Sequence, residues 1–133
     1  MGLHISNSLH GTDYIMCSDE DACVIMEIFA GFNIRQELTI SLDYIDRDYP
    51  ENNCSTAVVV NIEDAFKMAK KNNVNYSKLP SFIFECMSEW REIINPSLRQ
   101  TKDCFTEILD ALIEENCRYR LERTYGPNNF QCY

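Results

Sequence analysis

The sequence predicts an α+β domain whose mainly antiparallel sheet, made of N-terminal strands and a C-terminal strand, packs against about three helices. Apolar and polar residues alternate at 36–45 and 117–125, which is the period of a strand with one buried face. Between residues 61 and 116, apolar residues recur every three or four positions, as on the buried face of a helix. The order of strands, then helices, then a strand favours α+β over alternating α/β organisation.

The 133 residues predict a single globular domain, 1–133, and no internal repeat divides them. We expect a strand-rich part over residues 1–60, a helical part over 61–116, a strand over 117–125 and a short tail over 126–133. Hydrophobic residues make up 45% of the chain and charged residues 25%, which is ordinary for a folded domain. This composition excludes a disordered or low-complexity chain.

The N-terminal residues predict a β-hairpin. Leu3 and Ile5 alternate with polar neighbours, which indicates a short strand at 3–6. Residues 7–13 have the composition of a turn centred on a His-Gly pair, and residues 14–17 provide the second strand.

Two interpretations fit residues 22–30. Ser18 and Asp21 have the spacing of a capping box, which would begin a helix. The run that follows is apolar except for Glu27 and contains β-branched residues, which suits a buried strand. We favour the strand.

The clearest strand lies between residues 36 and 45. Its apolar face carries Leu38, Ile40, Leu42 and Tyr44. The alternate positions carry Glu37, Thr39, Ser41 and Asp43. We therefore expect a half-buried strand with one face in solvent. Residues 46–55 have the strongest loop composition in the chain, and residues 57–60 fit either a strand or the approach to a helix.

Three helices are predicted after residue 60. Asn61 is a suitable N-cap for the first, which ends near residues 72–73. Pro80 suits the first turn of the second, and Asn95-Pro96 ends it. Ser97 caps the third. The buried face of this third helix carries Thr101, Cys104, Phe105, Ile108, Leu109, Leu112 and Ile113.

Negative charge is concentrated in the first half of the chain, although the whole chain has a formal net charge of −9. Residues 1–66 contain twelve acidic and two basic side chains, a net charge of −10, whereas residues 67–133 contain nine acids and ten bases, a net charge of +1. This balance argues against direct binding to nucleic acid or to an anionic membrane. The asymmetry indicates an interaction surface, although acids that serve solubility alone would give the same pattern.

The seven cysteines indicate a reducing compartment. Their number is odd and no two have C-x-x-C spacing, so we expect free thiols and a cytoplasmic location. The sequence shows neither a signal-peptide pattern nor a run of 18 apolar residues, so we expect no secretion and no membrane span.

Common catalytic and cofactor motifs are missing from the sequence. The four glycines form neither a phosphate-binding loop nor a dinucleotide fingerprint, and no G-x-S-x-G or H-E-x-x-H pattern occurs. His4, His10, Cys17 and Cys23 are not spaced like the ligand pairs of zinc sites. We therefore expect no cofactor and no metal, and we lean toward a protein that is not an enzyme.

The expected function is protein binding. A small acidic domain without catalytic motifs suits an inhibitor that covers a basic partner, such as a toxin, a nuclease or another nucleic-acid-binding protein. An immunity protein or a phage-encoded inhibitor of a defence system would have this character. One candidate contact segment contains Asp43, Tyr44, Asp46, Asp48, Tyr49 and Glu51. The other contains Asp19, Glu20 and Asp21.

Two other hypotheses stay open. A small enzyme or ligand-binding domain could build its pocket from residues scattered in the sequence. An acid with a perturbed pKa in an apolar pocket would favour that hypothesis, and a flat acidic face would favour the inhibitor. An exposed strand edge could also pair with a second copy to form a homodimer.

Overall fold

A five-stranded antiparallel sheet is the framework of the protein in the computed structural model, which describes residues 9–126. The strands are β1 (His10–Cys17), β2 (Val24–Phe32), β3 (Leu38–Asp46), β4 (Cys54–Val60) and β5 (Tyr119–Tyr125). They lie side by side in the order β1-β2-β3-β4-β5, and each neighbouring pair is antiparallel. The predicted α+β class is confirmed.

The helices lie between β4 and β5 in the chain. They are α1 (Ile62–Lys71), α2 (Leu79–Cys86), α3 (Ser88–Arg91) and α4 (Leu98–Glu114). Short 3₁₀ turns occupy Pro50–Asn52 and Tyr76–Lys78. The predicted second helix is divided into α2 and α3, because the backbone of Met87 leaves helical geometry (ψ 19°) while its side chain stays buried.

The predicted caps begin the two main helices. The Asn61 side chain accepts a hydrogen bond from the Asp64 amide at the start of α1. At the start of α4, Ser97 Oγ accepts from the Gln100 amide at 3.0 Å, and Gln100 Oε1 accepts from the Ser97 amide at 2.9 Å. This reciprocal pair satisfies amides that have no partner within the first turn.

The helices pack on one face of the sheet, which we call the core face. The strands contribute to this core through Ile28, Ala30, Leu38, Ile40, Val58 and Val60. The helices contribute through Ala65, Met68, Leu79, Ile83, Cys104, Phe105, Ile108 and Leu112. The three- and four-residue spacing in α4 therefore marks its buried face as predicted, although Ile113 is 57% exposed.

The structure corrects the predicted turn near the N-terminus. Residues 10–13 belong to β1, where His10 pairs with Phe32 and Asp13 with Ala30. A bulge between these pairs accommodates Gly11, whose φ is 59°, so the turn-like composition marks a bulge within a strand. The other strand of the predicted hairpin, residues 3–6, lies outside the described residues.

The structure resolves the two ambiguous segments in favour of strands. Most of residues 22–30 lie in β2, as we favoured, and the Ser18 hydroxyl accepts a hydrogen bond from the Met26 amide instead of capping a helix. Residues 57–60 are the second half of β4. The predicted loop at 46–55 is shorter than expected, because Asp46 ends β3 and Cys54 begins β4.

Gly31 allows a close approach of the chain at the start of β1. A Cβ atom at Gly31 would lie 2.9 Å from Thr12 Oγ1, 3.0 Å from the His10 carbonyl oxygen and 3.2 Å from Leu9 Cβ. A side chain at this position would therefore force its neighbours to shift. Leu9 lines a cavity with Ser41 and Ser55 on the face of the sheet opposite the helices.

The described cysteines are free thiols: Cys17, Cys23, Cys54, Cys86, Cys104 and Cys117. Cys132 lies outside the described residues, as does the rest of the predicted tail after Gly126. Between residues 9 and 126, no helix is long and apolar enough to cross a membrane.

Candidate functional site

The face of the sheet opposite the helices, which we call the outer face, is buried in its centre. Thr39, Ser41 and Asp43 are only 3%, 2% and 0% exposed, so the expectation that this side of β3 is solvated is wrong. The physical reason is position, because β3 is the central strand and buried Phe29 and Val59 flank its polar residues from β2 and β4.

A row of polar residues crosses the outer face. The strand register aligns Cys17, Glu27, Asp43, Ser55 and Thr124, one from each strand. Neighbours in such a row lie within side-chain contact distance. The sequence contains no motif for this row, because its members come from five separate strands.

Asp43 is the buried centre of this row. Its Oδ1 atom accepts hydrogen bonds from Ser41 Oγ at 2.6 Å and Ser55 Oγ at 2.7 Å. Its Oδ2 atom is buried and has no hydrogen-bond partner among the described residues. Burial raises the pKa of Asp43 to about 6, although the two serine hydroxyls act in the opposite direction.

A cavity of about 180 Å³ lies on the outer face beside this cluster. Its lining residues are mainly small or apolar: Leu9, Asn33, Thr39, Ser41, Ser55, Ala57, Val59, Glu122 and Thr124. Ser41 and Ser55 therefore connect the cavity to the Asp43 carboxylate. Nothing in the sequence marks Ser41, Ser55 and Ala57 as neighbours of one cavity.

Asp46 is a structural residue of the loop after β3. It is 7% exposed, and its Oδ1 accepts hydrogen bonds from the amides of Asp48 at 3.1 Å and Tyr49 at 3.0 Å. The Asp46 amide in turn donates to Asn53 Oδ1 at 2.7 Å. Asp46, like Asp43, therefore contributes no carboxylate to an exposed acidic surface.

The two acidic loops lie at the same end of the sheet. The β1–β2 loop contains Asp19, Glu20 and Asp21, and the β3–β4 loop contains Asp48 and Glu51. The Arg47 amide donates to the Cys23 carbonyl oxygen at 2.9 Å, and the Asp48 carboxylate raises the pKa of the exposed Cys23 thiol. We call these five acids the acidic end.

The residues of the acidic end differ in exposure. Glu20, Asp21, Asp48 and Glu51 are exposed, whereas Asp19 is partly buried and its amide donates to the Pro96 carbonyl oxygen. Four ion pairs occur between residues 9 and 126, and none of them includes an acid of the acidic end. Its negative charge is therefore not neutralised by an ion pair with another described residue.

Two exposed aromatic side chains lie beside the acidic end. Tyr49 is 60% exposed in the β3–β4 loop, whereas Tyr44, the other tyrosine of that candidate contact segment, is partly buried. Tyr125 is also 60% exposed, and the register pairs it with Cys54 at the start of β4. Sequence reasoning did not identify Tyr125, because only the pairing of β5 with β4 brings it there.

A second cavity, of about 310 Å³, adjoins the acidic end. The β1–β2 loop contributes Asp19 and Ala22 to its lining, and Leu98 contributes from the start of α4.

No group of three or more potential metal ligands occurs among residues 9–126. No protein-family model matches the chain, and no curated protein or solved structure is significantly similar to it.

Proposed function

We propose that the protein is a small cytoplasmic binding protein that inhibits a basic partner protein through the acidic end of its sheet. The observation that carries this proposal is the contact between Arg47 and Cys23, which joins two acidic loops that are far apart in the sequence. Two charge clusters that are separate in the sequence thereby lie in neighbouring loops at one end of the sheet.

The charge of this surface supports a basic partner. None of the described ion pairs includes its five acids, and Arg47 is the only basic residue within loop segments 18–23 and 47–53. Unneutralised charge of one sign accelerates association with a partner of the opposite sign and excludes partners of the same sign. A nuclease toxin or another nucleic-acid-binding protein would present the complementary surface, because it must attract phosphates.

Exposed apolar groups at the acidic end add binding affinity to the electrostatic attraction of its acids. Tyr49 and Tyr125 are exposed tyrosines, and large aromatic side chains are frequent energetic centres of protein interfaces. The adjoining cavity by Leu98 can receive an apolar side chain of the partner. An immunity protein or a phage-encoded inhibitor of a defence system would use such a combination of acidic rim and aromatic anchor.

Affinity capture from host lysate tests the proposal. The bait is the wild-type chain, a variant with Asp48→Lys and Glu51→Lys, or a control with Glu107→Lys and Asp110→Lys on exposed positions of α4. Both variants change the net charge equally. We expect wild type and the α4 control to capture the same basic protein in low salt, and the loop variant to lose it. Equal capture by all three chains would contradict the proposal, as would a captured partner that is acidic.

A ligand-binding domain is the second candidate function, and one observation favours it. The cavity on the outer face adjoins an acid whose pKa is raised by burial, which is a common property of functional sites. This candidate concerns a different face of the sheet and does not exclude the first.

A further inference from the structure

The cavity on the outer face is large enough to hold a small organic molecule. Its volume is about 180 Å³, whereas an engineered apolar cavity of about 150 Å³ accepts benzene. Leu9, Ala57 and Val59 give it apolar walls. Glu122 and Thr124 of β5 line its other side and are exposed, so the cavity is open to solvent along this edge.

The polar floor of the cavity accepts hydrogen bonds. A serine hydroxyl has one proton, and Ser41 and Ser55 both direct theirs to Asp43 Oδ1. The two hydroxyl oxygens, 3.3 Å apart, therefore have lone pairs free to accept further hydrogen bonds. A molecule that sits over these serines must bring donors.

Asp43 does not line the cavity itself, but it accepts hydrogen bonds from both serines of the floor and has no described countercharge. Asp43 is fully buried, and among residues 9–126 its Oδ2 atom has no hydrogen-bond partner and its carboxylate belongs to no ion pair. A buried carboxylate is costly unless a positive group or hydrogen-bond donors compensate it. A positively charged hydrogen-bond donor is therefore the chemical group that would compensate the Asp43 carboxylate.

We propose that this cavity binds a small organic molecule with a primary ammonium group, which donates hydrogen bonds to Ser41 and Ser55 next to the Asp43 carboxylate, while its apolar part fills the space beside Ala57 and Val59. A calcium or magnesium ion fits less well, because it requires about six oxygen ligands and the cluster offers the oxygens of three side chains. Anions are excluded by the carboxylate.

Binding of benzylammonium, measured by calorimetry and by NMR shifts of backbone amides, tests this proposal. Benzyl alcohol has the same size without the charge, and benzoate has the opposite charge. We expect benzylammonium to shift the amides of Ser41, Ser55 and Ala57 and to bind at least about tenfold more tightly than either of the other two compounds. Equal binding of all three, or shifts confined to the acidic end, would overturn the proposal.

Two pairs of variants distinguish the contribution of the Asp43 carboxylate to binding from the contribution of the cavity volume. Asp43→Asn removes the charge at nearly constant volume, and Asp48→Asn is its control at the acidic end. Ala57→Leu fills the cavity, and Ala111→Leu on the exposed side of α4 is its control. We expect Asp43→Asn and Ala57→Leu each to weaken benzylammonium binding by about tenfold or more, with both controls unchanged. Unweakened binding by the folded Ala57→Leu chain would exclude this cavity as the site, even if Asp43→Asn does not fold.

Discussion

At the residue scale, Asp43 and Asp46 have different structural roles that their local sequence does not distinguish. Alternation correctly groups Thr39, Ser41 and Asp43 on one face of β3, but it does not predict that this face is buried. Its burial depends on the neighbouring strands β2 and β4 and on Leu9, which are non-local contacts. A loop composition likewise predicts an exposed Asp46, although hydrogen bonds to three later residues of the chain hold it inside the loop.

The raised pKa of Asp43 gives a prediction about stability and pH. Its folded-state pKa is about 6 and its unfolded value is near 3.8, so the folded chain binds this proton more tightly. The free energy of unfolding contributed by this group therefore falls as pH rises from about 4 to about 6 and is constant above that range, with a total change on the order of 2–3 kcal/mol. Glu37 and Asp64, whose pKa values are lowered by arginines, act in the opposite direction at lower pH.

Urea unfolding of wild type and of Asp43→Asn, measured from pH 4 to pH 7, isolates this effect. We expect the stability of the variant relative to wild type to increase from pH 4 to pH 7, because only wild type must ionise a buried group. A difference between the two chains that stays constant over this range would show that Asp43 titrates normally in the folded state.

The loop role of Asp46 predicts a contrast with Asp48. Asp46→Ala removes the acceptor for the amides of Asp48 and Tyr49, and we expect it to lower the free energy of unfolding by about 1–3 kcal/mol. Asp48→Ala changes an exposed side chain and should alter stability by less than about 0.5 kcal/mol. Urea unfolding of both variants measures the contrast, and similar stabilities would contradict it.

At the element scale, local signals predicted most of the secondary structure. Asn61 and Ser97 determine where α1 and α4 begin, and the period of apolar residues distinguishes helix from strand. The sequence did not predict the break at Met87, because a buried methionine favours neither a helix nor its end. The bulge at Gly11 was also missed, since turns and bulges use the same residue types.

The close approach of β1 to Gly31 predicts an unusual effect of Gly31→Ala. In an ordinary strand this substitution would stabilise the fold by reducing the freedom of the unfolded chain. Here the new Cβ would meet Thr12 Oγ1 at 2.9 Å and the His10 carbonyl oxygen at 3.0 Å. We expect the free energy of unfolding to fall by about 1–3 kcal/mol in a urea titration. A variant as stable as wild type would indicate that Thr12 and His10 do not approach Gly31 this closely.

At the scale of the whole molecule, the fold brings five acids together at one end of the sheet, and arginines pair with some of the acids elsewhere. Arg118 pairs with Asp64, and Arg120 pairs with both Glu37 and Glu122, so these arginines compensate acids away from the acidic loops. The sequence predicted the asymmetry of charge between the two halves. It did not predict that two acidic segments meet, because the meeting results from the antiparallel order of β1 to β4.

This charge distribution is the basis of the central claim, that the acidic end receives a basic protein. Its most direct test is the association rate constant of the captured partner with wild type, with the Asp48→Lys/Glu51→Lys chain and with the Glu107→Lys/Asp110→Lys control, in low and high salt. We predict that only the loop variant associates about tenfold more slowly in low salt, and that high salt removes most of this difference. An unchanged rate for the loop variant in low salt, or an equal decrease in the α4 control, would contradict the claim.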